Sequence, residues 1–106
     1  MTIRELVKKA HDNAVYHGFW EQEMNTGTAI ALMHSELSEA LEEERAGRPP
    51  VWYGENGKPE GTLTELADCV IRIADYCGAQ GWDLERAVED KMAYNESRPY
   101  KHGKKF

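Results

Sequence analysis

The chain has little cysteine, no long apolar run and no excess of positive charge, and each absence removes a class of protein. Its two cysteines, Cys69 and Cys77, share one apolar stretch. They lack the CxxC spacing of a zinc site and are too few for a disulfide framework, so they read as small core residues. No apolar run reaches the length of a membrane span, so no membrane partner is expected. The start, Met1-Thr2-Ile3-Arg4-Glu5, lacks a signal-peptide core, and the expected compartment is the cytoplasm. A net charge of -6 argues against a general nucleic-acid binder, which must neutralise phosphates over a broad surface. It leaves room for a small phosphate ligand held through metal ions. Repeats, low-complexity tracts and strand-like alternation are also missing.

What is present is helical spacing. Ile3, Leu6, Val7, Ala10 and Ala14 predict a helix over about 2–16. A break follows at Gly18-Phe19-Trp20. A second helix, about 27–46, carries Ile30, Met33, Leu37, Ala40 and Leu41 on one face and ends at Gly47, Pro49 and Pro50. A Pro/Gly-rich loop over 47–61 contains Trp52 and Tyr53, and a loop that long is more often functional than idle. The third helix, about 62–80, is apolar on most of its circumference and is expected to be the most buried, closed by Gly78 and Gly81. Asp83 then caps a fourth helix, about 83–97, with Leu84, Ala87, Val88 and Met92 inward, and Pro99 stops it. The expectation is one all-α domain spanning 1–106. It would form a four-helix antiparallel bundle whose small core is completed by oligomerisation.

The chemistry lies in carboxylates. Glu36/Glu39 and Glu65/Asp68 are each spaced i, i+3, which puts both members on one side of a helix. Taking about 100° per residue, Glu36, Glu39 and Glu43 border the apolar face of the second helix. Glu65, Asp68 and Asp75 make a similar stripe on the third. When the two helices pack by their apolar faces, these stripes can face each other, and like charges that close repel unless a cation sits between them. Four carboxylates with waters suit Mg²⁺, or Mn²⁺, better than iron. A di-iron bundle would need Glu-x-x-His on two helices, and His34 precedes its pair rather than completing it.

Two plainer readings stand beside this one. The glutamates of the second helix can form an exposed acidic face that binds a basic partner. Thr62-Leu63-Thr64-Glu65 also matches a capping box, in which Glu65 reaches back to the helix start. Asp68 fits neither reading well, since Asp is a poor mid-helix residue and here interrupts an apolar pattern. At the C-terminal end, Lys91 and Asn95 lie i, i+4 on the expected inward side of the fourth helix, with Arg98, Tyr100, Lys101 and His102 following. They can grip phosphates, Arg98 as a fork and Lys91 as a point charge, or only snorkel past the core.

Together these segments resemble a known family. Glu36-x-x-Glu39 followed by Glu65-x-x-Asp68 is similar to the metal signature of the MazG-like, all-α nucleoside triphosphate pyrophosphohydrolases. The surrounding His34-Ser35-Glu36-Leu37-Ser38-Glu39-Ala40-Leu41-Glu42, Glu65-Leu66-Ala67-Asp68-Cys69-Val70-Ile71-Arg72-Ile73 and Lys91-x-x-x-Asn95-x-x-Arg98-Pro99 extend the likeness over almost the whole chain. The resemblance implies cleavage between the α- and β-phosphates of a (deoxy)nucleoside triphosphate, giving the monophosphate and pyrophosphate. It implies Mg²⁺ on Glu36, Glu39, Glu65 and Asp68; the charge of such a site then asks one carboxylate, Glu36 or its neighbour Glu39, to take a proton from the attacking water. Lys91, Asn95 and Arg98 would hold phosphates, and Trp20, Trp52 and Tyr53 would hold the base. Homodimers or homotetramers with sites at the subunit interface complete the expectation. Ser35 stands where many members carry a further Glu. Damaged nucleotides, pool balance and removal of a purine nucleotide such as dGTP are all compatible with it.

Overall fold

Side-chain caps set where three of the helices begin. The computed structural model describes residues 1–105, and of His102 the backbone alone. Helix α1 (Ile3–Tyr16) starts at a full capping box of Thr2 and Glu5. Helix α2 (Thr26–Arg45) starts at Asn25, whose side chain accepts from the Thr28 amide at 2.8 Å. Helix α4 (Leu84–Glu96) starts at Asp83, which accepts from the Arg86 amide at 3.1 Å. Helix α3 (Thr62–Gln80) ends at Gly81 in the left-handed conformation. Gly78, expected to help close α3, lies inside it instead. A Cβ there would sit 2.6 Å from the Cβ of His11, so α1 and α3 approach closely at Gly78.

The fold is all-α. Thr26 meets Tyr76, Met33 meets Cys69 and Glu36 meets Arg72, which runs α2 antiparallel to α3. Val7 and His11 meet Gly78 and Asp75, which runs α1 antiparallel to α3 beside α2. Helix α4 packs on α1, where Arg4 pairs with Asp83 at 3.0 Å and with Glu85.

The 47–61 connection departs from the helical expectation. Strand β1 (Trp52–Tyr53) pairs antiparallel with β2 (Pro59–Glu60). Between them Asn56 (φ 59°) and Gly57 (φ 75°) make the tight hairpin turn. Asn-Gly is a hairpin signal, since both positions must take positive φ. The strands are too short to show alternation, which is why the sequence pattern passes over them. Gly61 (φ 111°) then admits the chain against Pro50, whose carbonyl oxygen would lie 2.3 Å from any Cβ there. That oxygen accepts from the Leu63 amide at 2.9 Å, tying the start of α3 to the end of the loop.

Burial departs from expectation. Helix α3 was expected to be covered nearly all round, yet Leu63, Leu66, Val70 and Ile71 are exposed, as are Ile30, Leu37 and Leu41 of α2 and Met92 of α4. The reason is geometric: α1 and α2 cover one side of α3, and α4 is drawn to α1. Among the described residues no large side chain is fully buried. The chain exposes 8173 Å², against about 6,000 Å² for a compact monomer of this mass. Its radius of gyration is 16.3 Å, against about 13 Å for a compact chain of this length. No helix among the described residues is long and apolar enough to cross a membrane.

Candidate functional site

The antiparallel pairing of α2 with α3 brings the acidic stripes face to face. Oxygens of Glu36, Glu65 and Asp68 lie within 4.8 Å of one another. Glu39, one turn on from Glu36, is exposed, and its carboxyl stands close enough to Glu36 and Glu65 to bear on the protonation of both. Such crowding shows in the protonation of the group. The Glu65 carboxyl is pushed up to about 8, first by burial and then by the hydrogen bonds and charges of Glu36 and Glu39. Asp68 is also raised, by burial and the charge of Glu36, while Arg72 and Lys58 pull it down. Burial raises Glu36 as well, but the hydrogen bonds of Arg72, Glu65 and Glu39 outweigh it and hold Glu36 below the usual range. Arg72 Nε donates to Glu36 Oε1 at 2.8 Å. A proton on Glu65 and the guanidinium of Arg72 thus do here what a cation would do.

The donor set fits a hard divalent ion. All three clustered groups offer oxygen, and Glu65 Oε2 is buried with no hydrogen-bond partner. The capping-box alternative for Glu65 does not hold. The N-cap of α3 is Gly61, with no side-chain cap, and Thr62 Oγ1 makes no hydrogen bond. Nor is the α2 stripe simply an exposed acidic face, because Glu36 and Glu43 are both buried. Ser35, where the resemblance leads one to look for a further Glu, donates to the Leu32 carbonyl at 2.6 Å along its own helix.

The cluster divides two hollows. On one side is a cavity of about 320 Å³ whose walls include Phe19, Trp20, Met24 and Ile71, with Glu36, Asp68, Arg72 and Asp75 along one edge. On the other is an open groove of about 550 Å³ lined by Glu39 and Glu65 together with the cations Arg48 and Lys58. Asp68, Arg72 and Asp75 follow each other along α3, so about 10 Å of helix separates the metal-type carboxylate from the far end of the cavity.

The predicted residues separate accordingly. Trp20 lines the cavity beside the carboxylates. Trp52 does not: its Nε1 donates to Glu43 at 3.1 Å, Arg48 pairs with the same carboxylate at 3.0 Å, and the guanidinium lies over the indole. That set fastens the hairpin to α2. Tyr53 is exposed on the hairpin. Lys91, Asn95 and Arg98 line neither hollow. Lys91 and Arg98 lie near the Tyr94 ring, and Asn95 Oδ1 is buried without a partner. The cations felt by the acidic cluster are Arg72 and Lys58, to which the sequence pattern assigns no role. Arg72 was hidden among apolar neighbours on α3. Lys58 is signalled by the Asn56-Gly57 turn, which folds it back toward Glu65 and Asp68. Comparison of the chain with protein-family models, with curated proteins and with solved structures gives no match.

Proposed function

We propose that the protein is a MazG-like nucleotide pyrophosphohydrolase of the cytoplasm, converting a (deoxy)nucleoside triphosphate to the monophosphate and pyrophosphate. The observation that carries this reading is the convergence of Glu36, Glu65 and Asp68, with a buried unpartnered oxygen on Glu65, between an aromatic cavity and a cation-lined groove. Glu36, Glu65 and Asp68, with Glu39 beside them, would hold Mg²⁺ or Mn²⁺. Bound there, the ion supplies charge neutralisation on phosphate oxygens and makes water more acidic. The base enters the cavity and lies against Trp20, while the outer phosphates run into the groove toward Lys58 and Arg48. Arg72, on the cavity lining beside Glu36, meets the inner phosphate with the guanidinium donors that Glu36 does not use. Water attacks the α-phosphorus in line with the bridging oxygen, the new P–O bond forms as the bond to the β-phosphate breaks, and pyrophosphate leaves by the groove. Glu36, held ionised by Arg72, is a weak base and serves as anchor. Glu39, exposed at the groove, takes the proton from the attacking water.

Self-association belongs to the same reading. The uncovered apolar faces of α2, α3 and α4 and the roughly 2,000 Å² of excess surface match what an obligate homodimer buries per partner, and a homotetramer would bury more. A second copy that lays its α4 across the groove gives Lys91, Asn95 and Arg98 the phosphate role the resemblance implies. The test is pyrophosphate release from a panel of nucleotides with Mg²⁺; folded protein that releases none from any base sinks the proposal. Asp68→Asn or Glu39→Gln should abolish release by at least about 100-fold while the helical circular dichroism is unchanged.

A further inference from the structure

Asp75 holds an unusual position in the cavity beside the acidic cluster. Its Oδ1 accepts two hydrogen bonds, from Trp20 Nε1 at 2.8 Å and from His11 Nδ1 at 2.9 Å. A carboxylate accepts only, so His11 carries its proton on Nδ1. His11 also stands edge-on to the Trp20 ring, and Tyr76 lies against the indole from another side. The close approach at Gly78 sets His11 in this place. Trp20 and Asp75 are therefore locked to each other as one wall, an aromatic face with a carboxylate at its edge. The second oxygen, Oδ2, has no hydrogen-bond partner among the described residues, and Asp75 lines the cavity.

Resting on the hydrolase reading above, we propose that Asp75 selects the base: its free oxygen accepts from an exocyclic amino group, so that a base carrying one (cytosine, adenine or guanine) is preferred over uracil, thymine or hypoxanthine. The chemistry is one of matching donors. Cytosine and adenine present an amino group where thymine and uracil present a carbonyl oxygen. A carboxylate is satisfied by the first and repelled by the second. The one N–H on the uracil edge lies between two carbonyls and meets the same repulsion. The aromatic and aliphatic walls formed by Trp20, Phe19, Met24 and Ile71 carry no such information, because every base has a face to stack. Asn13, also on the lining, offers both a donor and an acceptor and does not oppose the choice. A single polar contact in a partly open cavity gives discrimination of about 10- to 100-fold rather than the larger ratios of sealed sites.

The experiment uses matched pairs that differ at the amino position: dCTP against dUTP, and dATP against dITP, each with Mg²⁺, read as kcat/KM for pyrophosphate release. The amino member of the better-used pair should be preferred by at least about tenfold. Asp75→Asn gives the sharper arm. The Trp20 and His11 donors still require an acceptor at the Oδ1 position, so the new amide nitrogen is forced to the free side, where it donates. The preference should then invert toward dUTP and dITP. Equal use of both members by the native protein, or an Asp75→Asn variant that loses both members equally, overturns the proposal and leaves Asp75 as a prop for Trp20. Calorimetric binding of dCMP and dUMP separates the two levels of the argument. Preference for dCMP without pyrophosphate release from any triphosphate would keep the base assignment and discard the hydrolase, whereas release with no preference in either measurement does the reverse.

Discussion

Lowering the pH from 8 to 6 should weaken Mg²⁺ binding by about 50-fold, close to a tenfold loss per pH unit once Glu65 holds its proton. Glu65 is pushed up to about 8 by burial and by the carboxyls of Glu36 and Glu39, from an ordinary value of 4.5. An ion that takes its buried oxygen must displace that proton. The assay is calorimetric titration of the metal-free protein with MgCl₂ in two buffers of different ionisation enthalpy, which counts protons released. About one proton should leave per binding event at pH 6 and about half a proton at pH 8. Glu65→Gln should abolish both the release and the pH slope. Stability follows the same linkage with a definite sign. Because the folded value lies above the unfolded one, the stabilisation from Glu65 is fully present below pH 4.5 and is lost as pH rises through 8. The limiting slope is about 1.4 kcal/mol per pH unit, reduced by the water that reaches this half-buried site. Metal-free protein should therefore melt lower as the pH rises over that window, and Mg²⁺ should restore more stability at pH 9 than at pH 6. Glu36, held below the usual range chiefly by Arg72 against its own burial, acts in the opposite sense, and its contribution is lost as pH falls below 4.5. A binding constant for Mg²⁺ that does not change between pH 6 and pH 9 would refute the picture of a proton standing where the ion belongs.

Three further outcomes follow from the packing. Gly61→Ala should destabilise the fold by about 2 kcal/mol or more, because it combines a positive φ with a Cβ driven onto the Pro50 carbonyl; chemical denaturation measures the loss, and an unchanged midpoint would show that the loop does not anchor α3. Trp20→Ala should raise KM for the preferred nucleotide by about tenfold or more through lost stacking, whereas Trp52→Phe should lower stability by about 1–2 kcal/mol by leaving one buried Glu43 oxygen without its donor and leave KM alone; equal effects of the two on KM would contradict the separation of their roles. Sedimentation equilibrium should find a dimer or tetramer at micromolar concentration, and Leu66→Glu with Val70→Glu should dissociate it. A native chain that sediments as a monomer refutes the proposed association.

Helix positions were legible because caps and punctuation are local. Asp83 before α4 and Gly81 after α3 act within one turn of chain, and their effect does not depend on what packs nearby. The carboxylate pairs were legible for a similar reason: i, i+3 spacing puts Glu36 with Glu39 and Glu65 with Asp68 whatever the tertiary arrangement. The sequence left the role of Glu65 open, since a capping box and a metal ligand ask for the same residue at the same place. Only the path of the loop decides between them. Gly61, pressed against Pro50, takes the N-cap position, and Glu65 is left to turn toward Glu36.

The aromatic and cationic residues show where local reading ends. Trp20 and Trp52 are alike as residues in breaks between helices, yet one stands against Asp75 and the other against Glu43. Arg72 on the apolar α3 carries no local mark of its pairing with Glu36, and Lys58 reaches the acidic cluster only through the Asn56-Gly57 turn. The sequence by itself determined the helices, their order and which carboxylates share a helix face, because those depend on periodicity and on contacts within a turn. Only the tertiary structure decided which stripes meet, which cations answer them, which tryptophan walls the cavity and how much apolar surface one chain leaves uncovered. Each of those depends on packing between residues far apart in the chain, where the antiparallel register of α2 and α1 against α3 sets every distance.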